Sequence, residues 1–482
     1  MRGTADDPDQ RMKYLFINPR RSIERNNIWS VVNSITPPLG LAALSSVLEE
    51  HGFASDIIDA EALDLSVSEI LERIDPSTDV VGLTATTPEI DSVIALARTI
   101  RDRFPRITVL FGGVHATIFH ETLVADGIAD MVVRGEGESA ILAIAQQQPR
   151  EKISSLTWRA PDGRVVVNPQ GAAYVDLNTV PFPAYHKLPM DRYHSALGAA
   201  KRSPSIGIIT SRGCPGTCTF CYSGMFGSRI RFMTAERVLE LILLLKQRYG
   251  IKEVSFYDDT FTASRKRIET LCNLLIAQKV NISWSCFARV DTVDLDLLKL
   301  MKKAGCHQVG FGFESADEEI LKTINKRFNT SRVLQAVSWM KESGMDIRGA
   351  FMIGNIGETE ESIKKTIAYS TKLGIQYAIY NITTPFPGTE LYRDTQERGL
   401  VKHTQWSLYD LSHAILELPT VSSETVEKYY HKAYRAFYLR PVYILSRVLS
   451  IRTRDDFMTY WSAFTGILSM ILNRNEKAPH GQ

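Results

Sequence analysis

The sequence is poor in cysteine, in net charge and in long apolar runs. Six cysteines in 482 residues are too few for the disulfide framework of a small secreted domain, so a reducing compartment is expected. Lysine and arginine total 56 against 54 acidic residues, and this interleaved balance argues against a nucleic-acid partner. No stretch reaches the roughly 18 apolar residues of a membrane span, and the first apolar run is too short for a secretory signal. We therefore expect a cytoplasmic protein.

The length of the chain and its repeating pattern predict several domains of the α/β class. Residues 1–11 are polar and are predicted to form a disordered tail. Residues 12–148 alternate strand-like runs with amphipathic helices, a pattern typical of a parallel, doubly wound sheet of the Rossmann-like type. The predicted strands are YLFIN (14–18), SDIID (55–59), DVVGLT (79–84), ITVLFGG (107–113) and DMVVRG (130–135).

The rest of the chain predicts a linker, a second α/β domain and a helical end. Residues 149–200 are rich in proline and include a hairpin that turns at Asp162 and Gly163, so they are predicted to be a linker. Residues 201–400 contain six further strand and helix repeats, which predict a partial (β/α)6 barrel of the TIM type with its chemistry at the carboxyl ends of the strands. Residues 401–482 are predicted to form a helical C-terminal cap.

The first domain should bind a ligand in the crevice beyond the carboxyl ends of its strands. Those ends carry small, hydroxylated or glycine residues, at 18–19, 84–87, 112–113 and 135–138. The glycine signature of dinucleotide-binding sheets, Gly-x-Gly-x-x-Gly, is missing after the first strand. A dinucleotide is therefore not the predicted ligand.

The most specific local motif is GCPGTCTFC, which brings Cys214, Cys218 and Cys221 together after the first strand of the barrel. A structural zinc site usually has four protein ligands, and no nearby Cys or His completes the set. Three thiolates on a four-iron, four-sulfur cluster leave one iron open for another ligand. An iron–sulfur cluster is thus favoured, with a zinc site as the alternative.

The other three cysteines are assigned mainly to packing. Cys272 lies in a helical apolar pattern, and Cys306 follows Gly305 in a turn, so both are predicted to lie in the core. Cys286 lies within a predicted barrel strand, where packing remains the main prediction and contact with substrate the alternative.

The cysteine motif, with Phe220 before its last cysteine, resembles that of the radical S-adenosylmethionine (SAM) superfamily. The resemblance implies that the open iron binds SAM and that reductive cleavage yields a 5′-deoxyadenosyl radical. It also implies SAM contacts at later strand ends: acids for the amino group, an arginine for the carboxylate, and the segment GAFMIGNIGE (349–358) against adenine. The implied SAM-binding residues are Phe220, Asp258, Asp259, Arg289, Glu314, Ser315, Ile353 and Gly354.

The domain order, with the segments PPLGLAALSSVLEEHG, GGVHAT, RGEGE and TPFPGTELY, resembles the cobalamin-binding class of that superfamily. The motif Asp-x-His-x-x-Gly, which supplies a cobalt ligand in many cobalamin proteins, is absent. His115 is the one histidine beside a glycine-rich strand end, where a local hydrogen bond is favoured over cobalt. The implied cobalamin-binding residues are Pro38, Leu39, Thr84, Thr86, Thr87, Gly112, Gly113, His115, Gly135, Glu136 and Gly137.

These resemblances favour a methyltransferase that acts on an unactivated carbon of a small-molecule or lipid-like substrate. The cofactors implied are a 4Fe-4S cluster, SAM and cobalamin, and the implied protein partner is a one-electron reductant of the flavodoxin or ferredoxin type. Two alternatives remain: a cobalamin-dependent cyclase or ring-rearranging enzyme, and a zinc-stabilised binding protein without catalysis. The aromatic and basic C-terminal region predicts a lid on the barrel, favoured over peripheral contact with a membrane.

Overall fold

Two β-sheets organise the protein in the computed structural model, which describes residues 12–21, 34–171, 174–196, 198–451 and Trp461. The first sheet has seven strands and the second has six, and a two-stranded ribbon lies in the sequence between the first and second strands of the six-stranded sheet. The predicted tail at 1–11 lies outside the described residues, as does most of the chain after residue 451.

The first sheet is built on five parallel strands at the predicted positions. Its order is β2-β1-β3-β4-β5-β6-β7, and only β6 and β7 are antiparallel to their neighbours. Buried apolar side chains run along the strands on both faces, as expected where helices cover both sides. The strands are β1 (Tyr14–Asn18), β2 (Ser55–Asp59), β3 (Val80–Thr84), β4 (Thr108–Gly112), β5 (Met131–Val133), β6 (Leu156–Arg159) and β7 (Val165–Val167).

Helices cover both faces of this sheet. One apolar core packs β1, β3 and β4 against the helix that spans residues 90–103, and a second core on the other face continues into the barrel. The two domains therefore share a continuous apolar interior. The helices are α1 (Leu39–Glu50), α2 (Val67–Glu72), α3 (Ile90–Arg103), α4 (Val114–Ile118), α5 (His120–Ala125) and α6 (Glu138–Ala145).

The hairpin predicted within the linker is part of the first sheet. β6 pairs with β5 and β7 pairs with β6, so the hairpin extends the sheet at one edge. It turns at Asp162 and Gly163, as the sequence indicates, and Gly163 has a φ of +88°. The segment around Asp162 and Gly163 predicted a hairpin. It did not predict the pairing with β5, because pairing across the sheet is a long-range contact that local sequence does not specify.

The second sheet is an open, all-parallel half-barrel of six strands. Its order is β15-β14-β13-β12-β11-β8, so each strand pairs with the strand of the same sheet that precedes it in the sequence. All six strands occur where the repeats predict them. They are β8 (Ser205–Ile208), β11 (Glu253–Phe256), β12 (Ser283–Ala288), β13 (Cys306–Glu314), β14 (Asp346–Ile353) and β15 (Tyr377–Ile382).

Helices pack outside the barrel strands, and the short ribbon of β9 (Ser211–Arg212) and β10 (Arg231–Phe232) closes the loop after β8. Thr234, Asp294, Asn329 and Thr359 cap their helices through their side chains, the expected signals at helix starts. The helices are α7 (Ala235–Tyr249), α8 (Arg265–Ala277), α9 (Leu295–Lys303), α10 (Glu318–Thr323), α11 (Thr330–Ser343), α12 (Glu360–Lys372) and α13 (Glu390–Glu397).

Two C-terminal helices, α14 (Ser423–Tyr438) and α15 (Pro441–Ser450), follow the barrel. The Tyr434 hydroxyl accepts from the backbone N–H of Tyr380 and donates to its carbonyl. Tyr438 does the same with Ala378. These hydroxyls take the place of a neighbouring strand along β15, so α14 protects the edge of the half-barrel. The described helices include none long and apolar enough to cross a membrane.

Candidate functional site

The three motif cysteines lie in the loop that the β9–β10 ribbon closes. A Cβ placed on Gly216 would lie 3.2 Å from the Cys214 sulfur and 4.0 Å from the Cys218 sulfur, so these two thiols flank one point of the backbone. Gly213 begins the loop with a φ of +92°, and a Cβ there would lie 2.6 Å from the Arg229 carbonyl oxygen. The close crossing of these two backbone segments therefore requires glycine.

The far side of the cysteine loop is bound to the C-terminal end of helix α10 and to the first turn of helix α13. The Thr219 N–H donates to the Ile324 carbonyl at 3.2 Å, and the Thr219 carbonyl accepts from the Leu391 N–H at 2.9 Å. The Asn325 amide donates to the Thr217 carbonyl at 2.8 Å. These contacts fix the backbone between Cys218 and Cys221 before any cluster binds.

The acidic pair after β11 divides into two environments. Asp258 is 1% exposed and accepts hydrogen bonds from the Thr210 N–H, the Thr210 hydroxyl and the Ser211 hydroxyl. Its oxygens therefore position the strand that leads to Cys214. Asp259 is exposed, and partial desolvation together with the neighbouring charge of Asp258 raises its pKa. Asp259 is thus the member of the pair whose carboxylate remains available to a ligand.

A buried ion pair lies near the cysteine loop at the end of β13. The Lys326 ammonium lies 2.7 Å from Oε1 of Glu314, and both side chains are at most 10% exposed. Lys326 also lies 5.6 Å from the centre of the Phe220 ring. Glu314 has a φ of +63°, a conformation that costs a non-glycine residue energy and that clusters at functional sites. Ser315, by contrast, is fully buried and bonds to Thr366 and to the Asp317 backbone.

Arg289 follows β12 and lies beside the cysteines. A Cβ on Gly216 would lie 3.7 Å from Nη1 of Arg289. The guanidinium forms a two-point ion pair with Asp291, at 3.0 and 2.8 Å, and that hydrogen bonding is the main reason why its pKa is raised. The nearby thiols add to the effect. Arg289 therefore places a fixed positive charge next to the cluster ligands.

The turn after β14 is organised by Glu358. Its Oε2 accepts from the backbone N–H groups of Gly354 and Asn355 at 2.6 and 2.9 Å, while its Oε1 is buried without a partner. Burial raises the pKa of Glu358 to about 7. Ile353 and Asn355 are both fully buried, and Ile356 is the first side chain of this turn that is partly exposed.

A cavity of about 410 Å³ lies between this turn and the cysteine loop. Phe220 and Thr219 form one side of it, and Asn355 and Ile356 form the other. It thus adjoins both the loop that carries the cysteines and the segment that the sequence assigns to adenine. Its remaining lining residues are Thr323, Ile324, Thr383, Glu390, Leu391, Arg393, Asp394, Glu397 and Arg398.

A second cavity, of about 280 Å³, occupies the crevice at the carboxyl ends of β1, β3, β4 and β5. Gly113, with a φ of +88°, forms part of its floor, where a Cβ would lie 2.5 Å from the Thr84 hydroxyl. Apolar side chains such as Leu44 and Phe16 form its walls. Of the predicted cobalamin-binding residues, the cavity is lined by Pro38, Leu39, Thr84, Gly112, Gly113, Gly135, Glu136 and Gly137.

The other three predicted cobalamin-binding residues do not line this cavity. His115 is 3% exposed and packs against the rings of Phe119 and Trp406, at 4.6 and 5.4 Å between centres. Its Nδ1 lies 3.3 Å from the Thr87 hydroxyl, and burial lowers its pKa to about 4. Thr86 bonds to Glu89 at the start of the following turn. The local hydrogen-bonding role that the sequence favoured for His115 agrees with this position.

A buried ion-pair network joins the crevice to the cysteine loop. Arg212 pairs with Glu136 at 3.0 Å and with Glu138 at 2.5 Å, and Arg231 pairs with Glu136 at 2.7 Å. The two arginines face each other across the β9–β10 ribbon, and all four side chains are at most 15% exposed. Arg212, Met225 and Phe226 also line the crevice cavity. One loop therefore carries the cysteines and forms a wall of the crevice.

Comparison with known proteins agrees with this two-part arrangement. The family model of the radical SAM superfamily matches residues 208–369, and that of the B12-binding domain matches residues 27–145. An uncharacterized methyltransferase of Pyrococcus horikoshii is 36% identical over 447 residues, which cover 91% of this chain and 95% of that protein. The chain belongs to the cobalamin-dependent radical SAM methyltransferase family. It is an enzyme of that family, and its cofactors are a 4Fe-4S cluster, SAM and cobalamin.

Other similar proteins are more distant. A bacteriochlorophyllide d C-12(1)-methyltransferase of Chlorobaculum tepidum is 25% identical over 90% of this chain and 89% of its own length. An anaerobic magnesium-protoporphyrin IX monomethyl ester cyclase of Rubrivivax gelatinosus is 27% identical over 80% of this chain and 70% of its own length. The solved structure of OxsB, a cobalamin-dependent SAM radical enzyme with aqua-cobalamin and SAM bound, shares the fold with a TM-score of 0.73. It is 15% identical, over 97% of this chain and 72% of that one.

The residues present fit the cofactors of this family. Three thiols in one loop suit a cluster whose ligands attach to separate irons, whereas a zinc ion needs its ligands around one point. Within the described part of the chain, no three His, Cys, Asp or Glu side chains are grouped around such a point. The crevice, with its glycine floor and apolar walls, suits a large ligand that approaches the backbone closely.

Sequence reasoning missed several residues of these sites. Lys326 lies outside the residues predicted at the end of β13. It belongs to the site because the chain after α10 folds back toward the Phe220 ring. Arg212, Met225 and Phe226 flank the cysteines in sequence, but their place in the crevice depends on docking of the two domains. The charge of Arg212 immediately before the cysteine loop was the one local signal available.

Proposed function

We propose that this enzyme transfers a methyl group to an unactivated carbon of a small molecule that lies between the crevice and the mouth of the barrel. The observation that carries the proposal is the shared loop: Cys214, Cys218 and Cys221 lie on the same segment whose Met225 and Phe226 line the crevice. Bound SAM and cobalamin supply a hydrogen-abstracting radical and a transferable methyl group. Substrate between them is held close to both, which removes the entropic cost of bringing three reactants together.

The residues of the barrel bind and orient SAM in this proposal. Cys214, Cys218 and Cys221 hold the cluster, Asp259 accepts from the amino group, and Arg289 pairs with the carboxylate. Lys326 and Glu314 add a fixed pair beside Phe220. Glu358 shapes the turn at Gly354 and Asn355 that would pack on adenine.

The crevice residues bind cobalamin through shape more than charge. Gly112, Gly113, Gly135 and Gly137 allow the ligand to approach the backbone, while Thr84 and Asn18 offer hydrogen-bonding side chains in the cavity. His115 stays outside the cavity, so in this proposal no histidine of the crevice ligates cobalt. An external one-electron reductant of the flavodoxin or ferredoxin type would supply electrons to the cluster.

Product analysis with the reconstituted, anaerobic enzyme tests the proposal. Methyl transfer by this route should yield 5′-deoxyadenosine and S-adenosylhomocysteine in comparable amounts, together with a product one methylene heavier than the substrate. A genuine substrate that gives deoxyadenosine without homocysteine and without the gain of a methylene would overturn it.

The second candidate is a ring-forming or ring-rearranging reaction without methyl transfer. It is favoured by one specific observation, the 27% identity to a cyclase over 80% of this chain. The same product assay separates the two: a cyclase forms deoxyadenosine and an altered ring of unchanged carbon count. The 36% identity to a methyltransferase over 91% of the chain favours methyl transfer.

A further inference from the structure

Arg348 lies on β14 inside the half-barrel, away from both cofactor cavities. It lines a small cavity of about 20 Å³ together with Ser255, Ser285 and Gln308. These residues belong to four adjacent strands and face the lumen. Arg348 is 9% exposed, so it is buried within the barrel wall.

Among the residues that the structure describes, no acidic side chain pairs with the guanidinium of Arg348. Its Nε is buried without a hydrogen-bond partner, and the charged or polar groups that act on it are three tyrosines, Tyr257, Tyr377 and Tyr438. Burial raises the pKa of Tyr257 and of Tyr438, so those two phenols stay neutral. A buried cation that lacks an anionic partner is costly. In an enzyme, such a charge is expected where a ligand supplies the missing anion.

The lumen below the cavity is closed. The Gln308 amide donates to the Gly198 carbonyl at 3.0 Å, and Glu253 accepts from the backbone N–H groups of Lys201 and Arg202 at 2.9 Å. Ala199, between these anchors, lines the cavity. A ligand therefore enters from the carboxyl ends of the strands, where the cofactor sites lie.

Apolar surface covers the route between those sites and Arg348. Tyr257 and Phe287 stack with ring centres 6.0 Å apart, and both line the cavity. Glycines make room for the two rings: a Cβ on Gly207 would lie 2.1 Å from the Tyr257 ring, and one on Gly310 would lie 2.6 Å from that of Phe287. Phe287 is 39% exposed although it lies within a strand. The exposed ring offers a surface on which an apolar or aromatic body can pack.

We propose that Arg348 binds a carboxylate at one end of the substrate, whose apolar or aromatic body packs on Tyr257 and Phe287 while its other end reaches the cofactors. The proposal rests on the proposed function, since it assumes that substrate enters the barrel mouth. A guanidinium binds a planar carboxylate through two parallel hydrogen bonds. The cavity holds little more than one water molecule, which favours a carboxylate over a bulkier tetrahedral phosphate. From Arg348 to Ile353 the strand rises roughly 17 Å, so the substrate is elongated.

Thermal unfolding of the reconstituted holoenzyme tests the proposal without turnover. The probes are 4-phenylbutanoate, its neutral amide, 4-phenylbutyl phosphate and acetate. The acid should raise the Tm in a saturable manner, while the amide, the phosphate and acetate should have little effect. Arg348→Met should weaken binding of the acid at least about tenfold, the loss expected for a charge-assisted pair. Arg332→Met, which removes an arginine on the outer helix α11, should leave it unchanged.

Several outcomes would overturn the assignment. These are equal stabilisation by the acid and the amide, a full response to acetate alone, an equal response to the phosphate, and an undiminished response in Arg348→Met. If Arg348→Met does not fold, the comparison of acid with amide in the native enzyme still decides. Phe287→Leu should in addition weaken the response to the acid, because it removes the ring on which the apolar body packs. Binding of the acid, together with a genuine substrate that reacts without gaining a methylene, would count against the proposed function alone. Methylation of a neutral substrate with no response to the acid would count against this inference alone.

Discussion

The crevice of the first sheet and the interior of the barrel differ in the features that they offer to a ligand. The crevice is a cavity of about 280 Å³ with glycines in its floor, and its acids Glu136 and Glu138 are already paired with arginines. The barrel instead holds charged groups that form no ion pair with any described residue, such as Asp259 and Arg348. A large ligand is bound by a cavity of suitable size whose glycines let the ligand approach the backbone. The small charged groups of SAM and substrate need side chains that are fixed in position. Substitutions in the crevice should therefore act by filling space, and substitutions in the barrel by removing a charge.

The largest effect is expected from loss of a cluster ligand. Cys218→Ala removes one of three thiolates, so the cluster should fail to bind stably and formation of 5′-deoxyadenosine should fall below detection. Cobalamin binding in the crevice should persist, because the glycine floor and most of the walls belong to the first domain, while the cysteine loop contributes Arg212, Met225 and Phe226. The measurements are iron and sulfide content, deoxyadenosine by chromatography, and cobalamin absorbance.

Cys272→Ala is the matched control, since Cys272 is a fully buried helical cysteine that should be replaceable without loss of iron. If Cys218→Ala retained a full complement of iron, the assignment of that thiol would be wrong.

The next largest effect should come from filling the floor of the crevice. Gly113→Val puts a branched side chain at a φ of +88°, where even a Cβ would lie 2.5 Å from the Thr84 hydroxyl. We expect cobalamin affinity to fall at least about tenfold, while iron content stays at the wild-type level. Gly127→Val shares the positive φ, +70°, but a Cβ there meets nothing within 4 Å. It should cost about 1–2 kcal/mol of stability and spare cobalamin binding; equal loss in both variants would contradict the crevice site.

A smaller, pH-dependent effect is expected at Glu358 in the barrel. Burial raises its pKa from 4.5 to about 7, so the folded state binds this proton more tightly than the unfolded state. Stability from this group is fully present below about pH 4.5 and is lost as the pH rises toward 7, on the order of 3 kcal/mol in total. Glu358→Gln should flatten that part of the Tm profile between pH 5 and 7. An unchanged profile would show that Glu358 is ionised throughout.

The smallest effect is expected at His115, which follows Gly113 closely in the chain but does not line the crevice. Since His115 packs between Phe119 and Trp406, His115→Gln should lower stability slightly and leave the absorption spectrum of bound cobalamin unchanged. A shift of the cobalt-sensitive bands would place the imidazole at the metal and contradict the packing seen here. Thr99→Ala, on the exposed side of α3, provides a neutral comparison.

The sequence predicted elements well where local pattern is strong. Every strand of both parallel sheets lies where apolar runs and turn residues indicate, because a buried parallel strand must be apolar along its length. The hairpin at Asp162 and Gly163 was also found, but its pairing with β5 was not. That pairing brings together residues more than twenty positions apart, and neither partner carries a local mark of it.

The candidate sites divide in the same manner. Cys214, Cys218 and Cys221 share one loop, so their spacing was sufficient to predict them. Asp258 and Asp259 are adjacent in sequence. In the fold, Asp258 accepts hydrogen bonds from Thr210 and Ser211, whereas Asp259 remains available to a ligand. Which member of such a pair is available depends on hydrogen-bond partners far away in the chain.

By itself, the sequence determined the fold class and the family and predicted the three cluster cysteines, because each of these depends on short-range pattern and spacing. Tertiary structure decided which loop closes the crevice, that His115 lies outside it, and that Lys326 lies beside Phe220. It also decided that Arg348 is buried with no acidic partner in the described part of the chain. Burial and the pairing of charges arise from contacts between distant segments, and a one-dimensional pattern does not contain them.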